Sequence, residues 1–340
     1  VTTKRVLLLI GIVSAVLLIV GFVVGAVGSR MFGLERPFVS QPGIHLPPDP
    51  VFPAAVRESV VGYRVADKKT DDHGEAKSGQ DAADDKEHAD EEHHGLGIMQ
   101  FAVTNTMLSA WLTSVVMLVF FIGGARNPKV IPSRLQALVE MLFELVLNFA
   151  SSILGPEMGR RAFPVVATIF FFVLFNAWIA IFLIPIYQAV GYGANVGGEF
   201  KLATHLVRPA GTDLNFPLAL ALVSFVFVEY WGFRAHGFGY LKKFFAFGDL
   251  LRGRPSGLIN IFVGILELVS ELVRIVSFTF RLFGNMTAGE ILVVMITFLV
   301  PFIATQFVFG LELLVGLIQS VIFAGLTLVF LSVAVSHEEH

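Results

Sequence analysis

The sequence predicts an all-α, polytopic membrane protein of about six membrane helices, ending in a long, tilted helical hairpin. Three observations carry this reading. Hydrophobic residues make up 55% of the chain and its mean hydropathy is +0.75, more than a water-soluble core requires. Several apolar runs exceed the ~20 residues that cross a bilayer. The last two runs, residues 258–300 and 302–335, meet at Pro301. The first would reach about 60 Å as a straight helix, against a hydrocarbon core of about 30 Å. It must therefore tilt, kink or run partly along the membrane.

Residues 6–27 are almost wholly apolar and follow Lys4 and Arg5. A cleaved signal peptide has an apolar core of roughly 7–15 residues and a small-residue cleavage site. This core is longer, so residues 1–30 are expected to form a retained membrane anchor. Residues 31–97 are expected to form an extracytoplasmic loop, proline-rich at first and then acidic over 66–94. The acidic tract cannot bury enough apolar surface to fold alone. Its His73, His88, His93 and His94 have the composition of a divalent-metal site, but a solvated insert is the plainer reading. Residues 98–340 are expected to form the membrane domain. The chain has no cysteine, which excludes disulfides and thiolate metal sites.

Residues 103–124 read as the second span. A short loop follows, with Arg126, Lys129 and Arg134. Over 135–154, Gln136, Glu140, Glu144 and Asn148 recur every four residues, one polar stripe on an apolar helix. That pattern suits a segment lying at the membrane surface. The next span covers 164–190. After a glycine-containing loop, Thr212 reads as the N-cap of a span running to about 233. Short-loop basic residues set the orientation. Residues 125–134 carry three and 234–254 carry five, against two at 191–210, Lys201 and Arg208. The first two loops are therefore expected in the cytoplasm, with both termini, and the acidic insert outside.

Arg281 lies inside the run 258–300. An arginine at a membrane-helix centre costs about 2.5–3.5 kcal/mol on insertion scales, and such residues are functional by default. A helical partner would sit three or four positions away. Those positions are Ser277, Phe278, Gly284 and Asn285, so Arg281 has no acid on its own helix, whereas Arg274 has Glu271 at i−3. The plain alternatives are snorkelling to a headgroup or a structural salt bridge. At 100° per residue, Glu267, Arg274, Ser277 and Asn285 fall within about 40° of Arg281, and Glu290 falls at about 180°. Glu312 and Gln319, seven residues apart, share a face of the second helix. Folding the chain at Pro301 sets Glu290 level with Glu312, each eleven residues from the turn, and Arg281 nearly level with Gln319.

The string Arg281-Leu-Phe-Gly-Asn-Met-Thr-Ala-Gly-Glu290 closely resembles the signature of subunit a of F-type ATP synthases. The resemblance covers roughly residues 97–335. It is specific in that string and in Gln319 with its following Ser-Val-Ile-Phe-Ala, and an Asp213-Leu214-Asn215 of the family's kind adds weight. It implies long, steeply tilted hairpin helices curved around a ring of c subunits, with Arg281 facing the ring carboxylate. It implies two half-channels, one by Asn285, Glu290, Glu312 and Gln319, the other by Ser277, Glu267 and Arg274. The implied partners are the c-ring, b-type peripheral stalk subunits, other ATP synthase subunits and membrane lipid, in the cell inner or plasma membrane. No nucleotide-binding loop, metal box or nucleophile elbow is present, so no cofactor, nucleic-acid partner or catalysis by the chain alone is expected. An independent cation/proton secondary transporter is the alternative. Such folds usually carry inverted repeats, and this chain shows no matching half.

Overall fold

The computed structural model describes residues 3–33, 48–52, 102–126, 128–187, 190–196, 199–237, 239–240 and 256–336. The acidic tract 66–94 and its histidines lie outside these. The chain is an all-α polytopic membrane protein. Its eight described helices are α1 (Thr3–Val24), α2 (Ala26–Met31), α3 (Asn105–Ala125), α4 (Arg134–Leu154), α5 (Pro156–Tyr187), α6 (Asn215–His236), α7 (Ser256–Leu299) and α8 (Ile303–Val335). Helices α3 to α8 are each long and apolar enough to cross a membrane. Sequence reading counts α1 among the spans and lays α4 at the surface. By length and composition α4 qualifies, and the apolar stretch counted in α1 is the shorter Gly11–Val24.

Local chemistry fixes the helix ends. Thr104 caps α3 by accepting from the Met107 amide (3.3 Å), and Ser133 caps α4 by accepting from the Gln136 amide (3.3 Å). Gly155, at a positive φ of 77° that glycine adopts without steric cost, ends α4, and Pro156 opens α5 where its missing N–H costs nothing. The α6 start differs from expectation. Thr212 lies in a 3₁₀ turn, Ala210–Thr212, and gives its hydroxyl to the Pro209 carbonyl (2.7 Å). Asp213 instead accepts from the Asn215 amide (3.0 Å). The expected loop at 191–210 holds an antiparallel ribbon, β3 (Gly191–Val196) and β4 (Glu199–His205). A second short pair joins β1 (Pro50–Phe52) to β2 (Val103–Thr104).

The hairpin α7–α8 is the spine, and α8 packs most extensively on α5. Side chains buried on α7 recur at Glu271, Phe278, Leu282 and Val293, with Gly264 and Gly289 in the same seam. Across the hairpin Thr297 meets Thr305 (3.2 Å) and Asn285 meets Gln319 (3.4 Å), so the two helices run antiparallel about Pro301. Three apolar clusters fill its length. One surrounds Ala324, Leu328 and Leu331 with residues of α4, α5 and α6. The second joins Phe278, Leu282 and Phe323. The third, Val293 with Val308, lies toward the hairpin turn and is covered by Val207.

The turn end of the hairpin carries the irregular structure. Phe302 holds φ at 72°, a rare conformation for a bulky residue. Helix α1 lies against this turn through Gly21, whose missing side chain leaves room for the Pro301 carbonyl, and Gly25, which does the same for Leu299. The root of the 53–101 segment is fastened at this end too. Asn105 accepts from the Asp49 amide (3.1 Å) and donates to the His205 carbonyl (3.2 Å). Thr106 donates to Asp213 (2.9 Å).

Candidate functional site

Two groups of polar side chains occupy the hairpin. The first lies toward the turn. Glu290 and Glu312 line one cavity between α5, α7 and α8, together with Asn285 and Gln319. The walls come close because the residues between are small. Gly289 packs directly on the Glu312 carboxylate, and a Cβ on Gly316 would stand 2.7 Å from that of Ala177. Gln319 is buried. Its Oε1 accepts from Asn285 Nδ2 at 3.4 Å, and its Nε2 has no partner among the described residues. Asn285 lies one turn beyond Arg281, so Gln319 sits nearer that level than to Arg281 itself.

Glu290 is held by a residue that sequence reading counted only as a loop charge. Arg208 Nη2 donates to Oε2 at 3.1 Å, and Nε lies 3.2 and 3.3 Å from the two carboxylate oxygens. Both side chains are nearly closed off from solvent, at 7% and 11% exposure. Glu312 forms no hydrogen bond or ion pair among the described residues. The two carboxylates therefore share a cavity with different partners. A sequence signal for Arg208 existed: an acid inside an apolar helix needs a cation, and the loop at 191–210 offers only Lys201 and Arg208.

The second group runs along α7 toward its N-terminus. Arg274 pairs with Glu271 through Nη1–Oε2 (2.6 Å) and Nη2–Oε1 (2.9 Å), and its guanidinium lies 3.9 Å over the Phe330 ring. Glu271 is buried and Glu267 half-buried. Tyr240, packed on Gly232, borders this group. Burial, then the Glu229 and Glu271 carboxylates, push its hydroxyl well above the ordinary tyrosine value.

Arg281 belongs to neither group. It is exposed, as are Ser277, Val276 and Phe280 beside it, and it forms no hydrogen bond or ion pair among the described residues. The helix thus presents one exposed cation on an outward face, with Ser277 one turn before it.

This hairpin geometry stands beside a match of residues 107–332 to the family described as ATP synthase A chain. The chain belongs to that family. Its relatives are named ATP synthase subunit a. That of a Sulfurihydrogenibium species is 33% identical over 234 residues, covering 69% of this chain and 98% of the relative. That of Gloeobacter violaceus is 30% identical over 236 residues, covering 69% and 85%. That of Helicobacter pylori is 30% identical over 252 residues, covering 73% and 99%. The family match holds α7 through Leu299 and α8 to residue 332, and so contains every residue of both polar groups.

Proposed function

We propose that this chain is the ion-translocating stator subunit of an F-type ATP synthase, working with the complex's other subunits and making no ATP by itself. Arg281 carries the reading. An exposed guanidinium within an apolar membrane helix, without a counter-ion among the described residues, calls for an acid brought by another subunit. A carboxylate on a passing c-ring helix supplies it. In lipid that carboxylate must be protonated, because a bare charge there is expensive. Opposite a guanidinium it is favoured as the anion. Arg281 stays charged at any working pH. It draws the proton off the ring site yet relays none, and so separates two half-channels. Protons arrive from outside past Glu312 and the Asn285–Gln319 pair. They leave by the Ser277 and Glu267 side, with Arg274 held against Glu271 beside that path. The ring's own site sets whether the ion is H⁺ or Na⁺.

The same reading places the chain in the cell membrane with both termini in the cytoplasm, the hairpin turn outside and a b-type peripheral stalk at its flank. Basic loops support this orientation. The packing of α4 supports a surface position for that helix: Val146 and Ala150 join the cluster around Leu328 and Leu331, at the end of α8 away from the turn.

The cysteine-free sequence offers a direct test. A single cysteine at Gly284, exposed on the Arg281 side of the helix, should form an oxidative cross-link to a cysteine placed next to the ring carboxylate. Bridging requires Cα atoms within about 7 Å. Absence of that cross-link in the assembled complex, with a cross-link instead from an α5 position, would overturn the proposed interface.

A further inference from the structure

Three features of the outer cavity belong together. Both oxygens of Glu290 lie within hydrogen-bonding distance of Arg208, at 3.1 to 3.3 Å. Glu312, on the same cavity, has no hydrogen-bonding or ionic partner among the described residues. The segment that carries Arg208 is built to hold it in place. Val207 packs on Val293 and Val308. The Leu206 amide bonds the Val190 carbonyl (3.1 Å), and Pro209 is fixed by the 3₁₀ turn that follows, through Thr212 (3.2 and 2.7 Å). Gly211 lies so close to Met286 that a Cβ would stand 2.7 Å from its Cγ. A loop cation is thereby delivered to a membrane helix about one turn from the Asn285–Gln319 bond.

We propose that Arg208 is a positioning residue of the outer half-channel: by gripping the Glu290 carboxylate it leaves Glu312 as the one acid that takes up and passes on the proton. This rests on the stator reading above. The planar guanidinium fork matches a carboxylate with two parallel contacts, which a lysine ammonium does not reproduce. With Glu290 so occupied, a proton from the outer water protonates Glu312, and the same proton then leaves Glu312 toward the ring carboxylate. Without Arg208, two unpaired carboxylates would face one cavity and compete for a single proton. The polar loop would also lose its hold on α7.

The test is a double-mutant cycle in membrane vesicles holding the whole complex. ATP-driven acidification is measured per assembled subunit for Arg208→Gln, Arg208→Lys, Glu290→Gln and the double variant Arg208→Gln/Glu290→Gln. Arg208→Gln should lower pumping by about tenfold, the size of coupling expected between residues in direct contact. Arg208→Lys should fall between it and wild type. In the Glu290→Gln background, Arg208→Gln should cause no further loss, because the carboxylate it positions is gone. Wild-type pumping by Arg208→Gln would overturn the proposal. So would a double variant pumping below Glu290→Gln alone, since that would assign Arg208 a structural task independent of Glu290. If Arg208→Gln fails to assemble, the comparison of the double variant with Glu290→Gln still decides. Arg281→Ala in the same membranes separates the two readings: coupled pumping there would sink the stator assignment whatever the Arg208 variants do.

Discussion

Arg281 and Arg274 lie seven residues apart on one helix, and their surroundings divide their work. Arg274 is spent inside the chain, on Glu271 and the face of Phe330. Arg281 is turned outward, with exposed Ser277 and Gly284 on its side of the helix. That difference was half legible: Glu271 at i−3 announces the first pair, and the lack of an acid near Arg281 announces the second case. Replacing Arg281 by Ala should abolish ATP synthesis and coupled pumping while the subunit stays inserted, with passive proton leak as a second symptom. Lys should restore little, because an ammonium lacks the fork and loses its proton more readily when desolvated. A structural arginine would behave otherwise, with assembly falling in the Ala variant and returning with Lys. Glu312 is the residue to probe next. Glu312→Gln should slow ATP-driven pumping by about a hundredfold, the scale of a lost acid–base group. Glu312→His keeps a group that titrates near neutrality and should retain more. Equal activity of the Gln and His variants would remove Glu312 from the proton path. The Glu290–Arg208 pair leaves no spacing pattern, since the residues lie 82 apart, and only the need of an intramembrane acid for a cation points to it.

The elements were legible where a single helix reports its own faces. Long apolar runs gave α3, α5, α6, α7 and α8, and folding at Pro301 predicted that Glu290 and Glu312 lie at one depth, as their shared cavity now shows. Pairings between distant elements left weaker traces. The β3–β4 ribbon reads as loop in the sequence, since glycine at 191 and 193 speaks against strand and only the partner strand stabilises it. Asp213 rather than Thr212 serves the start of α6, because the 3₁₀ turn spends the threonine hydroxyl on Pro209. Small residues carry the contacts between helices, and two of them make predictions. A Cβ on Gly289 would collide with the Glu312 carboxylate. Gly289→Val should therefore close the cavity, cutting pumping strongly while the complex still assembles, as judged by subunit amounts in the membrane. Unchanged pumping would show that the path runs elsewhere. Gly25 faces the Leu299 carbonyl at the hairpin turn. Gly25→Val should push α1 off that turn, at a cost of about 1–3 kcal/mol for forced overpacking. The readout is maleimide labelling of a single cysteine at Phe302, which lies against Gly21 and should label faster in the variant.

On the scale of the whole molecule, the two ends of the hairpin are built differently. The end holding Leu328 and Leu331 is an apolar core shared by α4, α5, α6 and α8. The turn end gathers α1, both β pairs, the 3₁₀ turn and the polar loop that carries Arg208, with Asn105, Thr106 and Asp213 tying the β pairs to the segment after the 3₁₀ turn. In the stator reading, a translocation path needs fixed polar groups at one end and a rigid anchor against the moving partner, and this division suits both. In the sequence the acidic tract 66–94 lies between the two strands β1 and β2, and the family match begins only at residue 107. Its composition, rich in Asp, Glu, Lys and His and poor in apolar residues, gives it nothing with which to build a wall of the channel. The strand pair and the Asp49–Asn105 bond close the chain below it, so its removal leaves the root fastened. Deleting residues 66–94 should therefore leave ATP-driven pumping near wild type in vesicles at ordinary ionic strength. The measurement is the acidification rate per assembled complex. Loss of pumping with the complex intact would make the tract part of the outer path, and its four histidines would then be the first residues to replace.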